Sequence, residues 1–189
     1  MNFILASMSP RRKELLKLAG LEFETIPSDV DETLQPELTP HQQVMALAHL
    51  KAETVAKNHP DKCVIASDTI VVLDNEILGK PIDESDAAVM LKKLSAKSHQ
   101  VMTAVTIMHG NRQISHTFIH VTDVEFYDMS DEWIADYVKT GEPMDKAGAY
   151  GIQGLGFELV KRIDGDYYSV MGLPIAMLKR ELRQLGLIK

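Results

Sequence analysis

The stretch Phe3-Ile4-Leu5-Ala6-Ser7-Met8-Ser9-Pro10-Arg11-Arg12-Lys13-Glu14-Leu15-Leu16 runs from a short apolar strand, through a polar loop, into a helix with two arginines near its start. A strand feeding a helix in this way is the unit from which α/β sheets are built. Ser9 is a favourable N-cap. Pro10 suits the first helical position, where its missing N–H has no intrahelical partner to lose and its fixed φ is already helical. The helix therefore begins with backbone N–H groups and the positive end of its dipole turned to the loop, an arrangement that receives anions and suits phosphate. Arg11 and Arg12 add planar, permanently charged forks, and the Ser7 and Ser9 hydroxyls add donors. An ordinary capped helix with solvated arginines accounts for the same residues, so the stretch decides the fold type before it decides the chemistry.

Outward from this unit, strand and helix signals alternate. Gly20 closes the first helix after Ala19, and Glu22 to Ile26 reads as a second strand leading into the acidic loop Ser28-Asp29-Val30-Asp31-Glu32. Thr39-Pro40-His41-Gln42 has the form of a capping box and opens a helix to about Lys57. Cys63 to Ser67 and Ile70 to Leu73 read as two strands, the second turning at Asp74-Asn75-Glu76 to Ile77-Leu78, with a helix from Asp83 to Leu94 beyond. Val101 to Met108 and Thr117 to Phe126 are longer strands joined at His109-Gly110-Asn111, an antiparallel section. Ser130 caps a helix that Gly141 stops, the glycine-rich stretch Gly148 to Gly154 precedes a strand from Phe157 to Ile163, and Pro174 opens a last helix. The expected fold class is α/β, a mixed twisted sheet flanked by helices. With no repeat, low-complexity tract or linker, residues 1–189 are expected to form a single domain.

The formal charge of −7 speaks against a broad nucleic-acid or anionic-membrane surface, since both need a basic field, and neither partner is expected. Cys63, the one cysteine, stands in the apolar run Cys63-Val64-Ile65-Ala66, where a buried inert thiol is expected and no disulfide can form within the chain. No apolar run approaches the about 18 residues of a membrane span, and the opening residues lack a signal-peptide pattern. A soluble cytoplasmic protein is the expectation.

Certain polar residues sit where burial or a crevice is expected. In the helix from Pro40, Val44, Leu47, Ala48 and Val55 form the apolar stripe, and Lys51 falls on that inward face. A buried ammonium must snorkel to solvent or meet an anion in a cleft. Exchange for methionine would then remove a burial cost and leave the fold as stable or more so. Asp68 closes the run from Cys63 at an expected strand end, with Thr69 next, a position from which a carboxylate serves as base, Mg²⁺ ligand or turn cap. Gly79-Lys80-Pro81 presents a second lone lysine as a point charge for phosphate or as a solvated loop residue. Asp29, Asp31 and Glu32 either join Asp68 around a hard cation or form a solvated acidic turn. Gln153, in the glycine-rich stretch, can donate and accept, as reading a base edge requires. The seven histidines show no zinc spacing, and no G-x-x-x-x-G-K-[ST] loop occurs.

In this order and at these separations, Ala6-Ser7-Met8-Ser9-Pro10-Arg11-Arg12, Ala66-Ser67-Asp68-Thr69, Gly79-Lys80-Pro81, Asp145-Lys146-Ala147-Gly148-Ala149-Tyr150-Gly151-Ile152-Gln153-Gly154 and Gly165-Asp166-Tyr167-Tyr168-Ser169-Val170-Met171-Gly172-Leu173-Pro174 resemble the motifs of Maf-family nucleoside triphosphate pyrophosphatases over the whole chain. The resemblance implies an elongated, two-lobed α/β fold similar to inosine triphosphate pyrophosphatases, with a central cleft. It implies a catalytic role for Asp68 with Glu32, Lys51 and Lys80, and substrate binding by Ser7, Arg11, Arg12, Thr69 and Gln153. It further implies a divalent cation held by Asp68 and Glu32, Mg²⁺ with Mn²⁺ as the alternative. The form of the Asp145 to Gly154 block resembles the subgroup acting on dTTP and UTP rather than on 7-methyl-GTP. Hydrolysis to the monophosphate and pyrophosphate is the implied reaction. A purine or modified-nucleotide pyrophosphatase and a nucleotide-binding regulator of septum formation are the alternatives, and a homodimer is left open.

Overall fold

The structure, a computed structural model, describes residues 2–189. Its strands are β1 (Phe3–Leu5), β2 (Phe23–Thr25), β3 (Cys63–Leu73), β4 (Glu76–Leu78), β5 (Ser98–His109), β6 (Ile114–Phe126) and β7 (Val160–Asp164). Its helices are α1 (Pro10–Leu18), α2 (Pro40–Ala56), α3 (Glu84–Leu94), α4 (Asp131–Lys139), α5 (Tyr167–Met171) and α6 (Ile175–Gln184). The strands form one sheet of order β2-β1-β3-β5-β6-β7, with β4 also paired to β3. β1 lies parallel to β2 and β3, whereas β4 on β3 and β7 on β6 are antiparallel, so the sheet is mixed as expected. Only Gly110 to Gln113 separate β5 from β6, too short a connection for a parallel crossover, and the two strands form a hairpin.

The chain divides into two compact units. The first takes the residues up to Asp68, Thr103–His120 and Gly172–Lys189. The second takes Thr69–Met102 and Val121–Met171. In the first unit, Ala52 and Val55 of α2 pack on Ile4, Ala6, Val64, Ala66 and Met108. The buried stripe of α2 is Gln43, Val44, Leu47, Ala48, Lys51, Ala52 and Val55, wide enough to take Lys51 and Ala52 inward together. The capping box is formed: Thr39 accepts from Gln42 N, and the Gln42 amide oxygen accepts from Thr39 N.

The second unit is built around Val71, Leu91, Val124, Phe126, Ile134, Val138 and Tyr150. Asp74 and Asn75 both take positive φ, as a two-residue turn of the primed type requires, and join β3 to β4 with Val72 opposite Ile77. Phe157 to Leu159 do not extend β7. They belong to a 3₁₀ segment, Gly154–Leu159, because glycines at 154 and 156 permit a tight turn that the apolar run alone does not reveal.

Inside this core the rings of His99, Phe126 and Tyr150 meet edge to face, and His99 Nε2 hydrogen-bonds Tyr150 Oη at 2.7 Å. Burial lowers the His99 pKa to about 4. The unfolded imidazole titrates near 6.5, so the fold favours the neutral ring; the stabilisation is complete above about pH 6.5 and is lost as pH falls towards 4, about 3 kcal/mol in all. His99→Gln keeps a partner for Tyr150 and does not titrate. In urea melts it should lose about one proton's worth of stability slope between pH 6.5 and 4. An unchanged slope would place the acid sensitivity in other residues.

Candidate active site

In the first unit the β1–α1 loop has the expected construction. Ser9 Oγ accepts from Arg12 N at 3.4 Å, capping a helix whose first residue is Pro10, and Ser7 Oγ accepts from Ser9 N at 3.2 Å. Hydroxyls and helix start are thereby ordered as one anion-facing element. Arg12 is half-buried and donates from Nε to the Gly172 carbonyl at 3.0 Å. The same carbonyl accepts from Ser67 Oγ at 2.9 Å. Gly172 has φ +114, a backbone conformation open to glycine, and turns its carbonyl to both.

Asp68 is not at a strand end. β3 runs unbroken from Cys63 to Leu73, with Asp68 midway along it. The polar residues do not terminate the strand because each finds a partner within the fold: Ser67 meets the Gly172 carbonyl, and Asp68 Oδ1 lies 2.7 Å from Lys51 Nζ. Lys51 does not snorkel. It is 6% exposed, and its Nζ also lies 2.8 Å from Glu32 Oε1, so one ammonium joins a buried carboxylate to an exposed one. Burial lowers the Arg12 pKa below its ordinary value, while Asp68 raises it, Arg11 lowers it further and Glu32 raises it, which sets these four charges within reach of one another. Arg11, Arg12, Glu32, Lys51 and Asp68 are thus one cluster, three cations against two carboxylates, and Ser7 lies in the loop that leads into the arginines.

Around Glu32, the Gln43 amide oxygen accepts from Gln35 N at 3.0 Å, and Ser28 Oγ donates to the Ala6 carbonyl at 3.4 Å. These two bonds tie the chain on either side of Glu32 to α2 and to the residue that follows β1. Asp29 and Asp31 are both exposed, and Asp31 accepts from Thr33 N and Oγ1, a local turn in keeping with the solvated alternative for those two residues. Among the described residues, no three or more His, Cys, Asp or Glu side chains are grouped to hold a metal ion.

Thr69, Lys80 and Gln153 belong to the second unit. Thr69 and Gln153 are half-buried and Lys80 is exposed. The segments carrying Lys80 and Gln153 are linked where Gly148 N donates to the Gly79 carbonyl at 3.0 Å. Gly148 has φ +68, and a Cβ there would come within 2.9 Å of Val71 Cγ1, so this position demands glycine twice over. The roles of Gly172, Gln43 and Glu142 escape the sequence reading. Their signals are a glycine before Leu-Pro, a glutamine on an apolar helix face and a lone acid between Gly141 and Pro143.

Fold and site define an α/β protein with an ordered helix start, two arginines and a lysine-bridged pair of carboxylates. The Ham1 protein of Staphylococcus aureus shares the fold, with a TM-score of 0.54 over 97% of this chain and 99% of that one at 14% identity. The description Maf-like protein matches residues 2–185. A dTTP/UTP pyrophosphatase of a Geobacillus species is 50% identical over 183 residues, 97% of each chain. One of Bacillus cytotoxicus is 52% identical over 182 residues, 96% of this chain and 94% of that one. The chain belongs to the Maf-like protein family.

Proposed function

We propose that this chain is a nucleoside triphosphate pyrophosphatase that hydrolyses dTTP and UTP to the monophosphate and pyrophosphate, and that residues 1–189 act as one catalytic domain. The observation that carries the reading is the buried Asp68 carboxylate, held by Lys51 beside Glu32 and the Arg11–Arg12 pair. The relatives' activity and the family match through residues 2–185 support it. Among the described residues no helix is long and apolar enough to cross a membrane, and the cytoplasm is the compartment we assign.

Asp68 takes a proton from water as the oxygen attacks the α-phosphorus; the new P–O bond forms as the bond to the bridging oxygen breaks, and pyrophosphate leaves. The chain's main contribution is neutralisation of charge on the phosphates. Arg11 and Arg12 bind phosphate oxygens as forks, Ser7 and the α1 start donate hydrogen bonds, and Lys80 supplies a point charge to the departing pyrophosphate. Lys51 holds Asp68 in place. Thr69 and Gln153 contact the nucleoside.

The Asp68 and Glu32 oxygens converge on one cation, the Lys51 ammonium, which fits the small set of hard oxygen donors that Mg²⁺ takes from a protein when it also binds substrate phosphates. Such an ion, when bound, neutralises charge on the triphosphate.

Uracil and thymine share an N3–H donor flanked by carbonyls, which an amide side chain and a backbone group can satisfy. Their 5-methyl difference is worth about 1 kcal/mol. Cytosine mismatches at N3 and at position 4, about 2–4 kcal/mol for two unpaired groups, so kcat/KM for CTP should fall roughly 30- to 1000-fold below that for dTTP and UTP. ATP, GTP and 7-methyl-GTP should be poorer still. Steady-state kcat/KM across the six triphosphates with Mg²⁺, read as pyrophosphate released, tests the proposal. A purine preference would refute the pyrimidine assignment, and nucleotide binding without turnover would favour a regulator.

A further inference from the structure

Ile152 is buried on one side of Gln153, but the stretch that follows it is not held by apolar burial. Leu155 and Phe157 are 51% and 60% exposed, and the glycines at 151, 154 and 156 leave the backbone free to adopt many conformations. A carboxylate supplies the missing restraint. Glu142 follows α4 in the second unit; its Oε2 accepts from Leu155 N at 2.9 Å, and its Oε1 accepts from Gly156 N and from Tyr137 Oη, each at 3.0 Å. Tyr137 Oη in turn accepts from Gly151 N at 3.3 Å. The loop is therefore fixed two residues before Gln153 and again two residues after it.

The fit is close enough to dictate sequence. A Cβ on Gly154, whose φ is +65, would lie 2.5 Å from Glu142 Oε2, and one on Gly156 would lie 2.1 Å from the Gly151 carbonyl oxygen. Glycine at both positions lets the loop close onto the carboxylate. Burial raises the Glu142 pKa, but the Leu155 and Gly156 N–H groups, the Tyr137 hydroxyl and Lys146 outweigh it, and the net shift is downward. Lys146 also donates to the Glu142 carbonyl and pairs with Asp145 at 2.7 Å, which fixes the turn that presents Glu142. Charge-assisted bonds from a carboxylate to backbone N–H groups are among the stronger restraints available to a loop rich in glycine.

We propose that Glu142, with Tyr137 behind it, is a positioning residue that fixes the base-reading loop and so sets pyrimidine selectivity without touching the nucleotide. The inference rests on the base-reading role of Gln153. Glu142→Gln keeps the size of the side chain but turns an N–H donor pair towards backbone N–H groups, so the loop loses one of its two anchors. Tyr137→Phe removes the other more gently. The dTTP-to-CTP ratio of kcat/KM should fall at least 10-fold in Glu142→Gln, mainly through KM for dTTP, and should fall less in Tyr137→Phe. Inhibition by inorganic tripolyphosphate, which reports on the phosphate-binding residues alone, should stay within about 2-fold of wild type, as expected if the loop alone is disturbed.

The experiment compares wild type, Glu142→Gln, Tyr137→Phe and Gln153→Ala by kcat and KM for dTTP and CTP and by tripolyphosphate inhibition. Loss of selectivity in Glu142→Gln and Gln153→Ala, with Tyr137→Phe intermediate and inhibition unchanged, supports the clamp. Loss in Gln153→Ala with selectivity retained in both Glu142→Gln and Tyr137→Phe overturns the clamp and leaves the base-reading role standing. Weakened tripolyphosphate inhibition in Glu142→Gln also overturns it, since the effect would then be general. Wild-type selectivity in Gln153→Ala refutes the base-reading role itself.

Discussion

Asp68→Asn will yield a folded protein that binds dTTP and turns it over about 10²- to 10⁴-fold more slowly than the wild type. The amide is nearly isosteric and keeps an acceptor for Lys51 Nζ, now 2.7 Å from Oδ1, so the contact that holds the side chain in mid-strand survives. Basicity and negative charge are lost together. Without basicity the attacking water has no acceptor for its proton, and without the charge the cluster of Arg11, Arg12 and Lys51 is left with Glu32 as its carboxylate. Binding of dTTP should persist or tighten, because the triphosphate is drawn by cations that the substitution does not remove. Equilibrium binding and single-turnover rates on the same preparation separate the two effects. A kcat near that of the wild type would remove Asp68 from the reaction.

Lys51→Met should lower both activity and stability, and the stability effect reverses what the sequence alone suggests. Read on a helical wheel, a lysine among Val44, Leu47, Ala48 and Val55 is a misplaced charge whose removal helps. The structure shows it as the partner of a buried carboxylate. Replacing a whole buried pair by apolar residues is often neutral, but removing one member strands the other, at about 3–5 kcal/mol. Arg12 still neutralises part of the Asp68 charge, and Glu32 is half exposed and can hydrate, so the lower end of that range applies. For a chain of this size about 3 kcal/mol corresponds to a fall in Tm of about 6–12 °C. A double substitution with Asp68→Asn should recover part of that loss, since the stranded charge is gone. A single-variant Tm at or above the wild type would show that Asp68 needs no counter-charge.

What the sequence discloses and what it hides follow from the range of the interactions. Ser9, Pro10, Thr39 and Gln42 act within one helical turn, and their caps form as read. The mid-strand position of Asp68 depends on Lys51, 17 residues away, and on the Gly172 carbonyl, which Ser67 reaches across 105 residues. No local pattern carries such pairings, and a polar Ser-Asp-Thr run therefore looks like the end of a strand. Lys51 shows the same limit from the other side: its burial is legible from helical periodicity, whereas the identity of its partners is not. Glu142 is the extreme case, since its backbone partners have no side-chain signature and leave only the glycines at 154 and 156 as a trace.

The central claim, that water attacks the α-phosphorus with pyrophosphate as leaving group, is tested most directly by turning over dTTP in ¹⁸O-enriched water and locating the label in both products by ³¹P NMR or mass spectrometry. The account predicts one ¹⁸O atom in the dTMP phosphate and unlabelled pyrophosphate. Label in pyrophosphate would place the attack on the β-phosphorus, and formation of dTDP with inorganic phosphate would contradict the assigned reaction altogether.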